Sequence, residues 1–233
     1  MWYKLTILLF LLSSVCGIAQ TNYVKVKYTL KIGFDEGFSG ATGLKDYYAK
    51  AQKGAELLNF ELIANKNASY FKMNEVIKND ETDFASSFSE ATTSFYTEVN
   101  SQNKIKYIND YLGEFRFSFT DKTEWFLVNE SKYIDNYLCY KATSEQVIVN
   151  SKGTFKHAIV AWYCPSIPFS YGPKGYVGLP GLILELQIRN IIWGATNIEL
   201  SNVDAVITKP SKGKLITEEE YNKMISSPAI FDR

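Results

Sequence analysis

Hydrophobic and polar residues alternate over much of the chain, with the two-residue period of a strand that buries one face. The clearest run begins at Val24, where apolar residues at 24, 26, 28, 30 and 32 are separated by lysine or threonine. Phe115, Phe117 and Phe119 repeat the pattern with polar residues between them. Both runs predict antiparallel strands with one face in water.

Further segments of similar length extend this pattern, and the turn residues between them are typical of a meandering sheet. The sequence therefore predicts a mainly β fold, with a single antiparallel, curved sheet or half-barrel and one or two short helices. The additional predicted strands are Leu57–Ala64, Ser69–Met73, Lys104–Ile108, Glu124–Asn129, Tyr137–Ala142, Gln146–Asn150, Thr154–Tyr163, Leu182–Arg189 and Asn197–Ile207.

Helical periods are few in the sequence. Apolar residues between Leu44 and Ala51 recur at helical spacing and predict one helix. A Thr-x-x-Glu capping box at Thr217 predicts the start of a second helix over Glu218–Ile225. Residues 75–101 are polar and rich in serine and threonine, and they predict a long irregular excursion.

The N-terminus has the features of a signal peptide. Lys4 supplies positive charge, an apolar run extends from Leu5 to Val15, and Gly17-Ile18-Ala19 provides the small residues of a cleavage site. The alternative is lipid modification of Cys16, which the bulky Val15 before it disfavours. We expect residues 1–19 to be a signal peptide and residues 20–233 to form one β-rich, exported domain without a transmembrane segment.

Composition adds a balanced charge and many aromatic residues. The 25 basic residues match the 25 acidic ones, so no global field attracts nucleic acid, and no nucleic-acid partner is expected. Aromatic residues make up 15% of the chain and either line an apolar groove or pack as sheet core, with core packing favoured. The residues concerned are Tyr47, Tyr48, Tyr70, Phe71, Trp125, Phe126, Trp162 and Tyr163.

Two cysteines, Cys139 and Cys164, remain once the signal peptide is removed. An even pair in an exported chain predicts a disulfide, which would close a loop of about 25 residues and stabilise the fold by roughly 3 kcal/mol. The alternative is two separate buried thiols that pack as small hydrophobic groups. Only His157 could add a histidine ligand to them, so no metal site is expected.

Residues 158–189 form the most distinctive stretch of the chain. Prolines at 165, 168 and 173 lack backbone donors and predict an extended, unpaired passage after a strand that ends near Tyr163. Pro180-Gly181 predicts a turn with glycine at positive φ. Apolar residues at 182, 184, 186 and 188 then predict the core-facing side of a strand.

The hexapeptide Gly178-Leu179-Pro180-Gly181-Leu182-Ile183 is the signature that names the GLPGLI family, which the chain resembles. Trp162-Tyr163, Pro168 and Gly172-Pro173 resemble the remainder of that family's central motif. The resemblance implies a signal-bearing envelope protein in the periplasm or at the outer-membrane periphery of a Gram-negative bacterium. It implies no established activity, and an outer-membrane receptor is the partner that it suggests.

Motifs for familiar chemistries do not occur in the sequence, which has no G-x-S-x-G, H-E-x-x-H, Walker A or G-x-G-x-x-G pattern. His157 is the single histidine, and packing is favoured over catalysis for it. No catalytic residue, metal or cofactor is predicted. We expect a non-catalytic binding or outer-membrane accessory module for an apolar or peptide-like ligand or a membrane-protein partner. The alternative is a secreted hydrolase that uses dispersed carboxylates.

Overall fold

The computed structural model describes residues 21–40, 43–99, 103–120, 123–150 and 153–225. The predicted signal peptide, with Cys16, lies outside these ranges. The strands within them are β1 Tyr23–Ile32, β2 Asn59–Asn65, β3 Ala68–Met73, β4 Thr93–Glu98, β5 Asn103–Asp110, β6 Gly113–Thr120, β7 Phe126–Ile134, β8 Tyr137–Asn150, β9 Gly153–Cys164, β10 Leu182–Ile188, β11 Ile191–Ser201 and β12 Lys214–Leu215. The helices are α1 Glu36–Gly40, α2 Lys45–Ala55, α3 Asp80–Ser89 and α4 Glu218–Ile225.

All of these strands join one open sheet, in the order β12-β6-β5-β4-β3-β2-β1-β11-β10-β9-β8-β7. The prediction of a mainly β fold on a single sheet is confirmed. Neighbouring strands are antiparallel except at one edge, where β12 runs parallel to β6, so the wholly antiparallel prediction is wrong there. Strands β7 to β11 separate β6 from β12 in the chain, and such a long connection permits the parallel direction that a hairpin forbids.

The sheet is strongly curled, as the link between β6 and β7 shows. These two strands lie ten positions apart in the sheet order. A flat sheet would separate them by about 48 Å, whereas the five residues that join Thr120 to Phe126 reach only about 20 Å. The two ends of the sheet must therefore approach each other, and residues of β5, β6, β8 and β9 line one common cleft.

The concave face of the sheet carries the main core. On β1, residues 24, 26, 28, 30 and 32 are all buried and alternate with half-buried or exposed polar residues. Cross-strand pairing continues this face from Val26 through Leu62 and Phe71 to Phe95 and Lys106. Burying a large apolar side chain of this kind contributes about 1.5–3 kcal/mol. The alternation in the sequence is thus an alternation of burial.

The convex face is covered in part by the chain that follows β11. Ile207 of that segment packs on a small cluster formed by Ala68, Tyr96 and Ile105. Asn65 ties the segment to the sheet, because its Nδ2 donates a hydrogen bond of 2.8 Å to the carbonyl oxygen of Ala205. The segment therefore buries apolar positions that lie on the opposite side of β3–β5 from the main core.

Helices α2 and α3 pack together, and α2 also contacts β1. Gly54 permits the contact between the helices, since a Cβ at this position would overlap the backbone carbonyl of Glu81. The predicted helix near Leu44–Ala51 is confirmed as α2, and α4 has the predicted bounds and capping box at Thr217. The described chain has four helices, so the prediction of one or two is too low.

Residues 75–99 differ most from the prediction of an irregular excursion. They contain α3, which Asn79 caps through a hydrogen bond of 2.9 Å from the backbone N–H of Thr82, and the buried strand β4. The buried face of α3 consists of Thr82, Ala85 and Ser89, which form no large apolar stripe. Polarity patterning therefore misses these elements, because small polar side chains are buried in them.

Smaller differences concern strand bounds. The two predicted strands between Tyr137 and Asn150 are one continuous strand, β8, and the strand predicted at Asn197–Ile207 begins at Ile191 and ends at Ser201. Among the residues described, no helix combines the length and apolar character that crossing a bilayer requires.

Candidate functional site

The segment between β9 and β10, residues 165–181, carries most of the predicted motif and lies against the core. The backbone N–H of Leu182 donates to the carbonyl of Ile167 at 3.1 Å, and that of Ile183 donates to Tyr171 at 2.9 Å. Trp125 Nε1 donates to the carbonyl of Val177 at 2.8 Å. Tyr163, Gly172, Pro173, Leu179, Gly181, Leu182 and Ile183 are buried, Trp162 is half-buried, and Pro168, Gly178 and Pro180 are exposed.

Glycines allow this segment to pass close to its neighbours. Gly181 has φ +151°, and a Cβ there would overlap the carbonyl of Cys164. Gly172 has extended backbone, but a Cβ there would lie only 2.6 Å from the side chain of Ile183. Gly178 has φ +94° and more space, with Trp125 3.7 Å from the position of a Cβ. The three glycines therefore meet different constraints within one short segment.

Trp162 of the motif lies among charged side chains of β7, β8 and β10. Lys132 Nζ is 4.5 Å from the centroid of its ring and also forms an ion pair of 2.8 Å with Glu185. Such a contact between a cation and an indole stabilises the pair by about 0.5–1 kcal/mol at a partly exposed site. The contacts of Trp162 are thus with neighbouring strands of the sheet.

Cys139 and Cys164 occupy opposed positions at the ends of paired strands. Tyr140 of β8 pairs with Tyr163 of β9, so the next pair in register is Cys139 and Cys164. Both cysteines are buried and are free thiols in the structure, so the predicted disulfide is not formed in it. A hydrogen bond from Cys139 lowers the pKa of Cys164, and Ser166 Oγ, 3.0 Å from Cys164 Sγ, acts in the same direction.

A groove lies beside the proline-rich segment, and we call it the motif groove. Its volume is about 320 Å³, at the lower end of the range for small-molecule sites. Asn65, Thr97, Val99, Pro168, Tyr171 and Gly178 are among the residues that line it.

Two residues that line the motif groove, Thr97 and Tyr171, each carry a buried hydroxyl group. Neither Thr97 Oγ1 nor the hydroxyl of Tyr171 has a hydrogen-bond partner within the described part of the chain. Thr97 is 2% exposed and Tyr171 is 4% exposed. Burial raises the pKa of Tyr171 to about 12, so its hydroxyl keeps its proton at neutral pH. The groove therefore combines apolar walls with two polar groups that the protein leaves unused.

A larger concavity lies inside the curl of the sheet, and we call it the cationic cleft. Its volume is about 700 Å³. Its lining includes four cationic side chains and three carboxylates, together with aromatic rings from several strands. The charged residues are Lys104, Lys106, Lys174, Arg189, Glu90, Glu145 and Glu218.

The lysines of the cationic cleft lie close to aromatic rings and are paired. Lys106 Nζ is 4.9 Å from the ring centroid of Phe119 and 2.9 Å from Glu218 Oε1. Lys174 Nζ is 5.2 Å from the ring centroid of Trp193 and 2.8 Å from Glu90 Oε2. Lys174 lowers the pKa of Glu90, which keeps that carboxyl ionised and is the opposite of what a general acid needs.

Left-handed backbone occurs at three residues around the same cleft. Glu90, Lys174 and Arg189 have φ values of +52°, +55° and +54°, in the left-handed region that residues other than glycine seldom adopt. All three line the cationic cleft. Glu90 is the C-cap of α3, and Arg189 lies in the two-residue turn between β10 and β11, both of which are common places for this backbone.

His157 also lines the cationic cleft, opposite Gln146 on the neighbouring strand. Burial, and to a smaller extent Arg189, lowers its pKa, so the imidazole is neutral at neutral pH.

The aromatic residues that the sequence offered as lining of an apolar groove form no single groove. Tyr48, Phe71 and Tyr163 are buried, whereas Tyr47 and Phe126 are exposed.

The lysines of β5 line the cationic cleft although no sequence pattern predicted them as site residues. Lys104 is 2% exposed and donates a hydrogen bond to the carbonyl of Gly175, so this side chain lies inside the fold. The sequence of β5 carries the feature that could have revealed them, because Ile105 and Ile108 fall on opposite faces of the strand. A strand with apolar residues on both faces is covered on both sides, and its lysines then face inward or toward a cleft.

Residues 149–185 match the sequence profile of a family described as "Protein of unknown function (Porph_ging)". This range contains His157, the whole of β9, the proline-rich segment and the GLPGLI hexapeptide. No curated protein matches the sequence.

Among solved structures, the chain is similar to PNGF-II in two crystal forms, of space groups P21 and C2. The identities are 13% and 14%, the TM-score is 0.53 for each, and each alignment covers 88% of this chain. The chain spans about a third of the length of PNGF-II, 33% in one form and 32% in the other. At this identity the likeness shows the fold alone.

Proposed function

We propose that this protein is an exported envelope protein of the GLPGLI type, and that its curled sheet is a non-catalytic binding module. Its ligand is an apolar or peptide-like molecule that binds in the motif groove, or a similar segment of an outer-membrane partner. The signal-peptide features of residues 1–19 and the resemblance at residues 178–183 support the export and envelope parts of the proposal.

The unpartnered hydroxyls of Thr97 and Tyr171 are the observation that carries the binding proposal. A buried polar group without a hydrogen bond costs about 1–3 kcal/mol, so proteins seldom retain one without a use for it. Two residues with such groups beside one groove fit a ligand that presents polar atoms, such as peptide carbonyls, to them. The apolar walls around them fit the rest of such a ligand.

The position of the groove also supports the proposal. Pro168 and Gly178, which belong to the predicted motif, line it. Segments of irregular backbone placed by a rigid scaffold often carry binding residues. The proposal therefore gives the proline-rich segment a role in ligand contact besides its role in connecting β9 and β10.

The test is affinity capture from detergent-solubilised envelope, with captured lipids and proteins identified by mass spectrometry. The bait is the tagged mature protein, and Thr97→Val and Tyr171→Phe are matched variants that keep shape and remove one hydroxyl each. We expect both variants to lose a ligand that the wild type retains. Tyr133→Phe is the control, since Tyr133 is 71% exposed and does not line the groove.

The variants also separate binding from a purely structural explanation. If the hydroxyls serve no ligand, both substitutions only remove a buried unsatisfied group, and the free energy of unfolding rises while capture stays unchanged. That result contradicts the proposal. Turnover of a soluble substrate that His157→Ala abolishes would contradict it as well, and would favour the hydrolase alternative.

A further inference from the structure

We propose that the cationic cleft is a second binding site, and that it takes a monoanionic organic carboxylate with an apolar body. The proposal is independent of the motif groove, because the two cavities have different lining residues and different chemistry. It rests on the charge of the cleft, on its own carboxylates, on one unpartnered donor and on its apolar walls.

The charge of the cleft favours a single negative charge. The lining holds four cations and three carboxylates, so one positive charge is in excess when His157 is neutral. Three of the cations, Lys104, Lys106 and Lys174, lie within 6 Å of a ring centroid of Phe119 or Trp193. Rings exclude water from an ammonium group, and an ammonium group with less water gains more from a bound anion.

The protein itself shows which anion fits these lysines. Glu218 Oε1 lies 2.9 Å from Lys106, and Glu90 Oε2 lies 2.8 Å from Lys174. The side chain of Glu218 is about half exposed, at 49%, and that of Glu90 is 71% exposed, so either can rotate away without burying its charge. They hold the positions that a ligand carboxylate takes when it replaces one of them.

Trp193 supplies the polar group that has no role within the protein. Its side chain is 1% exposed, and its Nε1 has no hydrogen-bond partner among the residues that the structure describes. Indole N–H is a donor only, so it requires an acceptor such as a carboxylate oxygen. Trp193 lines the cleft together with Lys174, whose ammonium group lies 5.2 Å from its ring centroid.

The apolar part of the ligand has walls to pack on. Phe95, Phe119, Ile159 and Ile188 line the cleft, and its volume of about 700 Å³ exceeds that of a carboxylate alone. Glu90, Lys174 and Arg189 contribute charged side chains to the same lining. The arrangement selects a molecule with one charged end and one apolar end.

The test uses 4-phenylbutyrate as the probe, with 4-phenylbutanol as its uncharged match and inorganic phosphate as an anion without an apolar body. Binding is measured by titration calorimetry and by changes in Trp fluorescence. We expect 4-phenylbutyrate to bind more tightly than either comparison compound. Failure to bind at about 10 mM, or equal binding of the alcohol, overturns the proposal.

Variants inside and outside the cationic cleft test whether the probe binds there. We expect Lys106→Met to weaken binding about tenfold, since it removes a charge-assisted hydrogen bond, and Glu218→Gln to tighten it severalfold, since it removes an internal competitor. Lys25→Met is the matched control: Lys25 pairs with Glu61 at 2.7 Å on the opposite face of the sheet. Equal effects of Lys106→Met and Lys25→Met overturn the proposal.

Two further variants distinguish this site from the motif groove. Trp193→Phe keeps an aromatic ring and removes the N–H, so it should weaken the binding of 4-phenylbutyrate. Tyr171→Phe lies in the motif groove and should leave that binding unchanged. Loss of binding in Tyr171→Phe but not in Trp193→Phe places the probe in the motif groove and contradicts the second site.

Discussion

The hydroxyl of Tyr28 donates a hydrogen bond of 2.7 Å to the carbonyl oxygen of Ile183, 155 residues further along the chain. Tyr28 is fully buried on β1, and Ile183 is the last residue of the GLPGLI hexapeptide. The pairing of β9 with β10 shifts register just after Ile183. Because a bulge disrupts the ladder, the tyrosine supplies a donor where the strand pairing is irregular. Burial raises the pKa of Tyr28 and keeps that donor protonated.

Tyr28→Phe tests this contact. The substitution leaves a buried carbonyl without its tyrosine donor, and we expect the free energy of unfolding to fall by about 1–3 kcal/mol. Urea denaturation followed by fluorescence measures the change. Tyr133→Phe, at a residue that is 71% exposed, should change stability by no more than about 0.5 kcal/mol. Equal stability of the two variants would show that the hydrogen bond contributes nothing.

Gly181→Val should destabilise the protein by at least about 1–3 kcal/mol, because φ is +151° and the new Cβ overlaps the carbonyl of Cys164. The expected readout is a lower melting temperature. Gly194→Val in β11 is the control, since no described atom lies within 4 Å of a Cβ there and φ is not positive. An unchanged melting temperature for Gly181→Val would contradict the structural account of this turn.

Gly54→Ala separates helix propensity from packing. Alanine favours a helix over glycine by about 1 kcal/mol, but its Cβ would overlap the Glu81 carbonyl where α2 meets α3. Overpacking costs typically 1–3 kcal/mol, so we expect net destabilisation by thermal or chemical unfolding. Gly40→Ala in α1 meets no described atom within 4 Å and should be neutral or stabilising. A gain in stability for Gly54→Ala would refute the close approach.

The opposed positions of Cys139 and Cys164 predict that oxidation joins them. We expect one cross-linked peptide pair in a non-reducing digest of protein taken from an oxidising compartment. The bond should add roughly 3 kcal/mol to stability relative to the reduced protein. Cys139→Ser removes the cross-link and serves as the control. Two cysteines that alkylate freely after unfolding without reductant would contradict the prediction.

Glu90→Gln tests the ion pair with Lys174. The pKa of Glu90 is lowered in the folded protein, so its stabilising effect is present at neutral pH and is lost as pH falls below its ordinary value of 4.5. Its side chain is 71% exposed, so we expect the variant to be less stable at about pH 7 by only 0.2–1 kcal/mol. The difference should shrink as pH falls from 4.5 through the lowered pKa of Glu90, because protonation removes the charge that Lys174 pairs with. A difference that does not shrink on acidification would have another cause than the ion pair.

Local patterning was sufficient for much of the fold. The alternation at residues 24–32 and 115–119 predicted β1 and β6, and the capping box at Thr217 predicted α4 with its bounds. These signals are reliable because each depends on residues within one turn or one strand. Patterning did not predict α3 and β4, because Thr82 and Thr97 are buried there among distant neighbours that no local pattern reveals.

The candidate sites were only partly accessible from sequence. The motif at residues 178–183 marked the segment beside the motif groove, but not the unpartnered hydroxyls of Thr97 and Tyr171. The cationic cleft was not predicted, because its walls come from strands at opposite ends of the sheet order. A side chain such as Lys104 appears in the sequence as an ordinary polar residue of a strand.

The sequence by itself determined the class of fold, most strand positions and the GLPGLI segment, because alternation, prolines and glycines act on the backbone where they occur. Tertiary structure decided the curl of the sheet, the partnership of β1 with β11 and the two cavities. These features depend on contacts between residues far apart in the chain, such as Tyr28 with Ile183. Whether a lysine is solvated or lies in a cleft depends on which strands the curl brings opposite it, and no local pattern contains that information.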